Sequence, residues 1–360
     1  MNTKFAVQGV GAHTPLGIAA PALLVAKAEP LFELEAAARG GADADAVHDM
    51  RVASRRLREA MRLLSPLYPG REMRSRYRQV RRITRALGPV RDADVFISEF
   101  GALASQVGTG GKRAVAFLVG YRAGQREREL EVLDSKLARL NLRQSRKTFA
   151  KMVSSISSSS EAVRPLADFA HAAVAERAAV VFGAQPAALY ESAIQQQHAL
   201  RIAYKRLRYA VETFAPCYGD DFDALHAVLT EFQDTLGELH DAHVFLEMLR
   251  SPDLVAAAEP AGVSAADVAE IATLLEAHAH QSYVKFQELT ARHPAESLLP
   301  VLLLPLTRAP EPEETALPAE PLVIEDESPI SAPVIVGDEP WAEGWHDSMP
   351  RVLTVDQDDA

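Results

Sequence analysis

From about residue 21 to residue 292, apolar residues return every three or four positions, the period of helices that bury one face. Glycine and proline punctuate this pattern and set the expected elements. Pro21 to Arg39 reads as a first helix, stopped by Gly40-Gly41. Asp43 or Asp45 caps a second, which ends near Ser65-Pro66 because the residue before a proline avoids helical geometry. Gly70 opens a third that is expected to stop at Gly88-Pro89, with VRDADVFISEF after it as a short separate helix. Lys112 to Leu140 and Asn141 to about Ser155 follow, and Ser157 to Ser160 reads as a linker. The order then restarts. A helix from Pro165 leads to one from about Pro186 to Ala215, one from Asp221 to Leu236, the segment GELHDAHVFLEML, and a last long helix from about Ser264 to Arg292. The chain is therefore expected to be all-α.

One of these helices has an unusual polar face. Val47 to Arg62 reads VHDMRVASRRLREAMR. With His48 at zero, Arg51, Arg55, Arg58 and Arg62 fall at about 300, 340, 280 and 320 degrees around a helix. Val47, Met50, Leu57, Met61 and Leu64 fall between roughly 160 and 260 degrees, so an apolar face lies beside a row of about one cation per turn.

The row occurs twice. HALRIAYKRLRYAVE begins at His198, and an ungapped offset of 150 sets His48, Arg51, Arg55, Arg56, Leu57 and Arg58 opposite His198, Arg201, Lys205, Arg206, Leu207 and Arg208. LGPVRDADVF from Leu87 pairs with LGELHDAHVF from Leu236 at an offset of 149, so a whole half is repeated. The copies differ in charge. Arg71, Arg74, Arg78, Arg81 or Arg82, and Arg85 form a second cationic row on the third helix. The counterpart over 221–236 lacks that row and contains Glu231 and Asp234. Glu212 stands in the place of Arg62, and His240 in the place of Arg91.

Composition narrows the class. With 48% hydrophobic residues in 360, a sizeable core is affordable, and a lone cysteine, Cys217, excludes an internal disulfide framework and leaves a reducing compartment as the default. No stretch approaches a membrane-spanning helix, so a membrane partner is not expected. Residues 1–20 read as a disordered leader, their weak apolar run broken by Gln8, His13 and Pro15. The net charge of −11 is unevenly spread: residues 45–92 hold 13 arginines against five acids, whereas residues 308–360 hold 14 acids against two arginines. Residues 293–360 are accordingly expected to be an acidic, proline-rich and largely disordered tail. Such a tail is expected to compete with an anionic ligand for the basic row.

Several chemistries compete for these features. A charge run is usually a solvated face, but here most arginines have no local acid, and like charges three or four apart destabilise a helix. A regular polyanion without bases would satisfy such rows, because each guanidinium can give phosphate two hydrogen bonds. Histidine at the head of the row would donate to phosphate, and binding would favour its protonated form. Nucleic acid is disfavoured: only Tyr77, Tyr204 and Tyr209 stand among the basic helices as stacking platforms. His240 with His243, or His278 with His280, would be the place for a metal, but no regular ligand spacing supports one, and no cofactor is expected. His48 and His198 also fit a buried histidine bonded to a backbone carbonyl. Asp92 and Asp94 invite an acid–base role, yet pairing with Arg91 or an arginine of the row fits better. No nucleophile elbow, phosphate-cradling glycine loop or dinucleotide fingerprint is present, so an enzyme is not expected.

The motifs H-x-x-R-V-x-x-R-R-L-R and L-G-x-x-R-D-x-D-V, then H-x-x-R-I-x-x-K-R-L-R-Y-x-x-E and L-G-E-L-x-D, resemble those of the CHAD family, the conserved histidine α-helical domain. The likeness covers roughly residues 21–292, as a first half over 21–156 and a second over 161–292. It implies a pair of antiparallel four-helix bundles, internally duplicated and related by pseudo-twofold symmetry, whose basic helices bind inorganic polyphosphate. It implicates His48, Arg51, Arg55, Arg58, His198, Arg201, Lys205 and Arg208; the continuing rows add Arg62, Arg74, Arg78, Arg81 and Arg85. It also implies a cytoplasmic protein associated with polyphosphate granules or polyphosphate-handling proteins. A helical interaction scaffold, or a non-specific nucleic-acid binder, is the alternative reading.

Overall fold

The computed structural model describes residues 5–40, 44–156 and 160–307. They form helices α1 (Leu16–Glu33), α2 (Glu35–Ala38), α3 (Ala44–Leu63), α4 (Gly70–Leu103), α5 (Thr109–Leu140) and α6 (Leu142–Val153), then α7 (Leu166–Ala188), α8 (Ile194–Thr213), α9 (Asp221–Leu249), α10 (Pro252–Ala258), α11 (Ala265–Arg292) and α12 (Ala295–Leu303). Among the described residues there is no strand beyond one isolated antiparallel bridge, Pro15 to Pro165. In the first half α3 packs on α1 and α4, and α4 on α5. In the second, α8 packs on α7 and α9, and α9 on α11.

The apolar residues gather in two main clusters, each drawing on both halves. The larger takes in α1, α3, α4 as far as Val90, α7, α8, and α9 as far as Leu236. The smaller is built from Phe96 and Phe100 of α4, Val115 and Leu118 of α5, Phe245 and Leu249 of α9, and Ile271 and Leu275 of α11. Phe245 meets Phe96 and Phe100 edge to face, at centroid distances of 5.5 and 5.1 Å. Between the clusters, α4 and α9 carry a polar stretch. On α4 it is Arg91, Asp92 and Asp94, and on α9 it is His240, Asp241 and His243.

Four sequence expectations are corrected. Gly88 and Pro89 do not end a helix; α4 runs through them to Leu103, and α9 likewise runs unbroken from Asp221 to Leu249. A proline inside a helix removes one backbone hydrogen bond. Burial of Val90, Ala93, Phe96 and Phe100 beyond it outweighs that loss. Pro186 does not open the second basic helix but lies in the last turn of α7, and α8 starts at Ile194. Gln197 braces the connection by donating from Nε2 to the Tyr190 carbonyl at 2.9 Å.

The expected leader is ordered from residue 5. Phe5 is buried, α1 already begins at Leu16, and Leu166 and Ala167 donate to the carbonyls of Thr14 and Ala12 while Leu16 donates to Arg164. A segment held by backbone pairing to the start of α7 needs no helical period, so periodicity gives no sign of it. The expected tail is ordered at its start: α12 and the turn after it bury Leu298, Leu302 and Leu306, and Tyr218 donates to the Leu302 carbonyl at 3.1 Å. Its acidic average hid this apolar run. The rest of that tail, residues 308–360, and most of the serine linker lie outside the described residues.

Candidate anion-binding site

The two basic helices fold for the reason their sequence suggests. Val47, Met50, Leu57 and Met61 on α3 and Leu64 just after it are fully buried, as are Leu200, Tyr204, Leu207 and Val211 on α8. Over the ten residues from Arg51 and the ten from Arg201, the order of buried and half-buried positions is the same. The offset of 150 in sequence thus reappears in packing. The helices also meet each other: Arg56 of α3 donates to Glu212 of α8 through Nε at 2.6 Å and Nη2 at 3.3 Å.

In the first half, Arg51 crosses to α4. It donates to the Thr84 carbonyl at 3.2 Å and stands 3.7 Å from Asp92. Gly88 makes room for it, since a Cβ there would lie 3.1 Å from Arg51 Nη1. Arg55 is half-buried one turn on, and makes no hydrogen bond or ion pair among the described residues. Arg58 is buried, donating to the Tyr77 hydroxyl at 3.1 Å, and both Arg58 and Arg62 sit 5.3 Å over the Tyr77 ring. Arg62 also pairs with Glu59 at 3.1 Å. Arg74, Arg78 and Arg85 of α4 are exposed and without an ion pair among the described residues, and Arg81 is half-buried beside them. Residues 77, 81, 84 and 88 share the side of α4 turned to Arg51 and Arg58; Arg74, Arg78 and Arg85 flank that side by about one tenth to one quarter of a turn of the helix. The exposed row therefore extends the row on α3.

In the second half the polar groups turn inward. Glu212, 1% exposed, accepts from Arg208 at 2.7 Å, from Arg56, and pairs with His226 at 2.9 Å. Burial alone would raise its pKa; the His226 hydrogen bond and the Arg208 and Arg56 guanidinium groups overcome that and hold it at about 2. Lys27 of α1 donates to the Glu212 carbonyl at 2.9 Å, and Arg177 of α7 pairs with Glu59 at 3.1 Å. Arg58 and Arg208, both expected at the binding surface, are instead committed inside the protein. The inward pairing of Glu59 and Glu212 leaves one mark in the sequence: their partners Lys27 and Arg177 also stand 150 residues apart.

Arg201 lies where the two rows converge. Its Nε is buried with no hydrogen-bond partner among the described residues. Burial lowers its pKa to about 10; Asp241 opposes the shift, and Arg55 and Arg51 from the facing helix add to it. Asp241 is pushed up to about 6 by burial, against the pull of Arg201. His198 Nδ1 lies 3.1 Å from His240 Nδ1. Burial, with Arg201 and Lys205 nearby, lowers His198 to about 4. The same causes, with His198 and His243 added, take His240 to about 2. His48 is also lowered, first by burial and then by Arg91. Of the two aspartates, Asp92 faces Arg51, burial raising its pKa against the pull of that guanidinium, and Asp94 is bound by Arg126. Among the described residues no three His, Cys, Asp or Glu side chains gather as a metal site, and no helix is long and apolar enough to cross a membrane.

Fold and site define an all-helical protein in which guanidinium groups from two facing basic helices converge on a polar layer between two hydrophobic clusters. Residues 24–250 match the CHAD domain, and the chain belongs to the CHAD family. Among solved structures it is similar to the CHAD domain from the plant Ricinus communis, at 21% identity and TM-score 0.55, over 82% of this chain and 94% of that one. It is also similar to PptA from Streptomyces chartreusis, at 16% identity and TM-score 0.57, over 77% of this chain and 99% of that one. These likenesses show the fold. No curated protein matches.

Proposed function

We propose that this chain binds inorganic polyphosphate without transforming it, along the row formed by Arg51, Arg55, Arg74, Arg78, Arg81 and Arg85 and ending at Arg201, Lys205 and His198. The observation that carries the reading is the convergence at Arg201. A buried guanidinium nitrogen without a partner faces Arg55 and Arg51, three like charges that a bound anion would relieve. Membership of the CHAD family supports the same ligand. Phosphate suits the site because each residue brings a fork of donors at helical spacing, and no aromatic platform is needed for a chain without bases. Of the other expected residues, His48 stands beside Arg91, while Arg58, Arg62 and Arg208 hold the rows in place through Tyr77, Glu59 and Glu212. The cellular setting that follows is the cytoplasm, on polyphosphate granules or beside polyphosphate-handling proteins.

The test is competition binding. Labelled long-chain polyphosphate is challenged with orthophosphate, short oligophosphates, single-stranded RNA and duplex DNA across a salt series. The expected outcome is displacement by long polyphosphate alone, with affinity falling as salt rises because condensed counterions are released. Binding should be lost in a variant combining Arg51→Gln, Arg55→Gln, Arg201→Gln and Lys205→Gln that keeps its helical circular dichroism. Equal displacement by RNA would replace this reading with general polyanion binding.

A further inference from the structure

The two copies of the basic helix present different partners to their leading histidine. In the first half His48 faces Arg91, which is charged at every physiological pH. In the second half the matching position is His240, in direct contact with His198. A contact of 3.1 Å between two Nδ1 atoms holds one hydrogen. One ring donates Nδ1–H; the other accepts at its bare Nδ1 and carries its own hydrogen at Nε2. The donor ring then has a bare Nε2, which can take a proton without breaking the bond. A second proton would set two N–H groups against each other, so the pair holds one added proton and no more.

The surroundings decide when that proton is present. The pair lines a narrow crevice with Ile194, Gln197, Leu236, Leu239 and His243, and its burial beside the three aliphatic side chains disfavours a charge. Arg201 and Lys205 of α8 oppose protonation further. From α9, His243 adds to this and Asp241 sits beside Arg201. Glu191, in the connection before α8, faces His243 and is held by His280 of α11 at 2.7 Å. An anion seated on Arg201 and Lys205 reverses the sign of the field at the imidazoles. We propose that the His198–His240 pair is a proton-linked phosphoryl subsite, taking up one proton from the solvent when an anionic phosphate chain binds across Arg201 and Lys205. His240 thereby becomes a binding residue, and the second half matches the fixed cations of the first only when liganded. The inference rests on the polyphosphate reading above.

The experiment is titration calorimetry of the full chain with long-chain polyphosphate between about pH 7.5 and about pH 5.5, in buffers of different ionisation enthalpy. One linked proton tightens binding by up to about tenfold per unit fall in pH, and the observed heat changes with the buffer. Terminal phosphate groups titrate in the same range, so the baseline is His240→Arg, which supplies the fixed cation found at Arg91. That variant is expected to bind with the baseline pH dependence only, and more tightly than the parent at the upper pH. Asp241→Asn tests the other nearby titrating group and is expected to keep the proton uptake. Uptake lost in Asp241→Asn but kept in His240→Arg would overturn the assignment. So would binding by the parent with the pH dependence of His240→Arg. No binding at any pH would instead remove the polyphosphate reading itself.

Discussion

The two basic helices of this chain bury the same positions over ten residues, while the helices that follow them expose different charges. Arg74 and Arg85 of α4 correspond at the offset of 149 to Asp223 and Asp234 of α9, all of them exposed. Arg62 corresponds to Glu212, which turns inward and accepts from Arg208 and from Arg56 of the opposite half. Burial pattern, set by apolar residues, has been kept across the repeat, while the polar surface has been divided between two tasks. The first half carries six of the cations of the proposed site, Arg51 and Arg55 on α3 and Arg74, Arg78, Arg81 and Arg85 on α4. The second carries the acid that clamps the two basic helices together. A repeat in sequence is thus evidence of shared packing, and a poor guide to shared chemistry.

The largest effect should come from breaking the clamp. Glu212→Gln leaves Arg56 and Arg208 buried or half-buried without their carboxylate. Removing one partner of a buried ion pair costs about 3–5 kcal/mol, here read as a lower urea midpoint at neutral pH. Because the Glu212 pKa is depressed in the folded protein, its contribution is complete above the ordinary glutamate value of 4.5 and is lost as pH falls toward about 2. The stability difference between parent and variant should narrow over that interval. A constant difference down to pH 2 would show that Glu212 acts through packing rather than charge.

Next in size is the division of binding. Arg51→Gln with Arg55→Gln removes two fixed cations, and at about 1.5–3 kcal/mol per charge-assisted hydrogen bond polyphosphate affinity should fall by about a hundredfold or more. Lys205→Gln, measured near pH 7.5, should fall by about tenfold or somewhat more, on the same scale for one contact. Equal losses from the two halves would contradict the asymmetry drawn above.

What was legible in the sequence followed from period and composition. The apolar face of α3 could be placed residue by residue, because burial at a spacing of 3.6 leaves a mark in sequence. The internal positions of Arg58 and Arg208 could not. On a helical wheel they share the cationic stripe with Arg51, and only the tyrosine, glutamine and glutamate side chains on other turns and helices show that they are spent inside. The helix end expected at Gly88 is overridden for a related reason: local propensity favours a break, and the hydrophobic cluster beyond outweighs it. His240 was visible as a departure from its counterpart, yet its contact with His198 spans 42 residues of chain and needs the packing of α8 on α9 to become apparent.

A smaller gain should follow from making the second half resemble the first. Asp223→Arg with Asp234→Arg restores two exposed cations at the positions of Arg74 and Arg85. Exposed charges contribute about 0.2–1 kcal/mol each, so polyphosphate affinity should rise by a few-fold, with a steeper dependence on salt. An unchanged salt slope would mean that the outer face of α9 lies off the path of the ligand, and would confine the site to α3, α4 and the convergence at Arg201.

The smallest effect should come from the acidic segment that follows the helical body. Residues 308–360 hold 14 acids against two arginines, and the α4 row leaves Arg74, Arg78 and Arg85 exposed. A tethered polyanion competes with a free one through its effective concentration near the row, and each of its carboxylates is a weaker partner for guanidinium than a phosphate. Deleting residues 309–360 should therefore tighten polyphosphate binding by a few-fold at low ionic strength. The gain should vanish near physiological salt, where the Debye length shrinks to about 8 Å. Since the competition is for the first-half row alone, the same deletion in an Arg74→Gln, Arg78→Gln, Arg85→Gln background should produce no gain. A gain that survived there would place the tail's target off the exposed α4 row, at Arg51 and Arg55 or at Arg201 and Lys205.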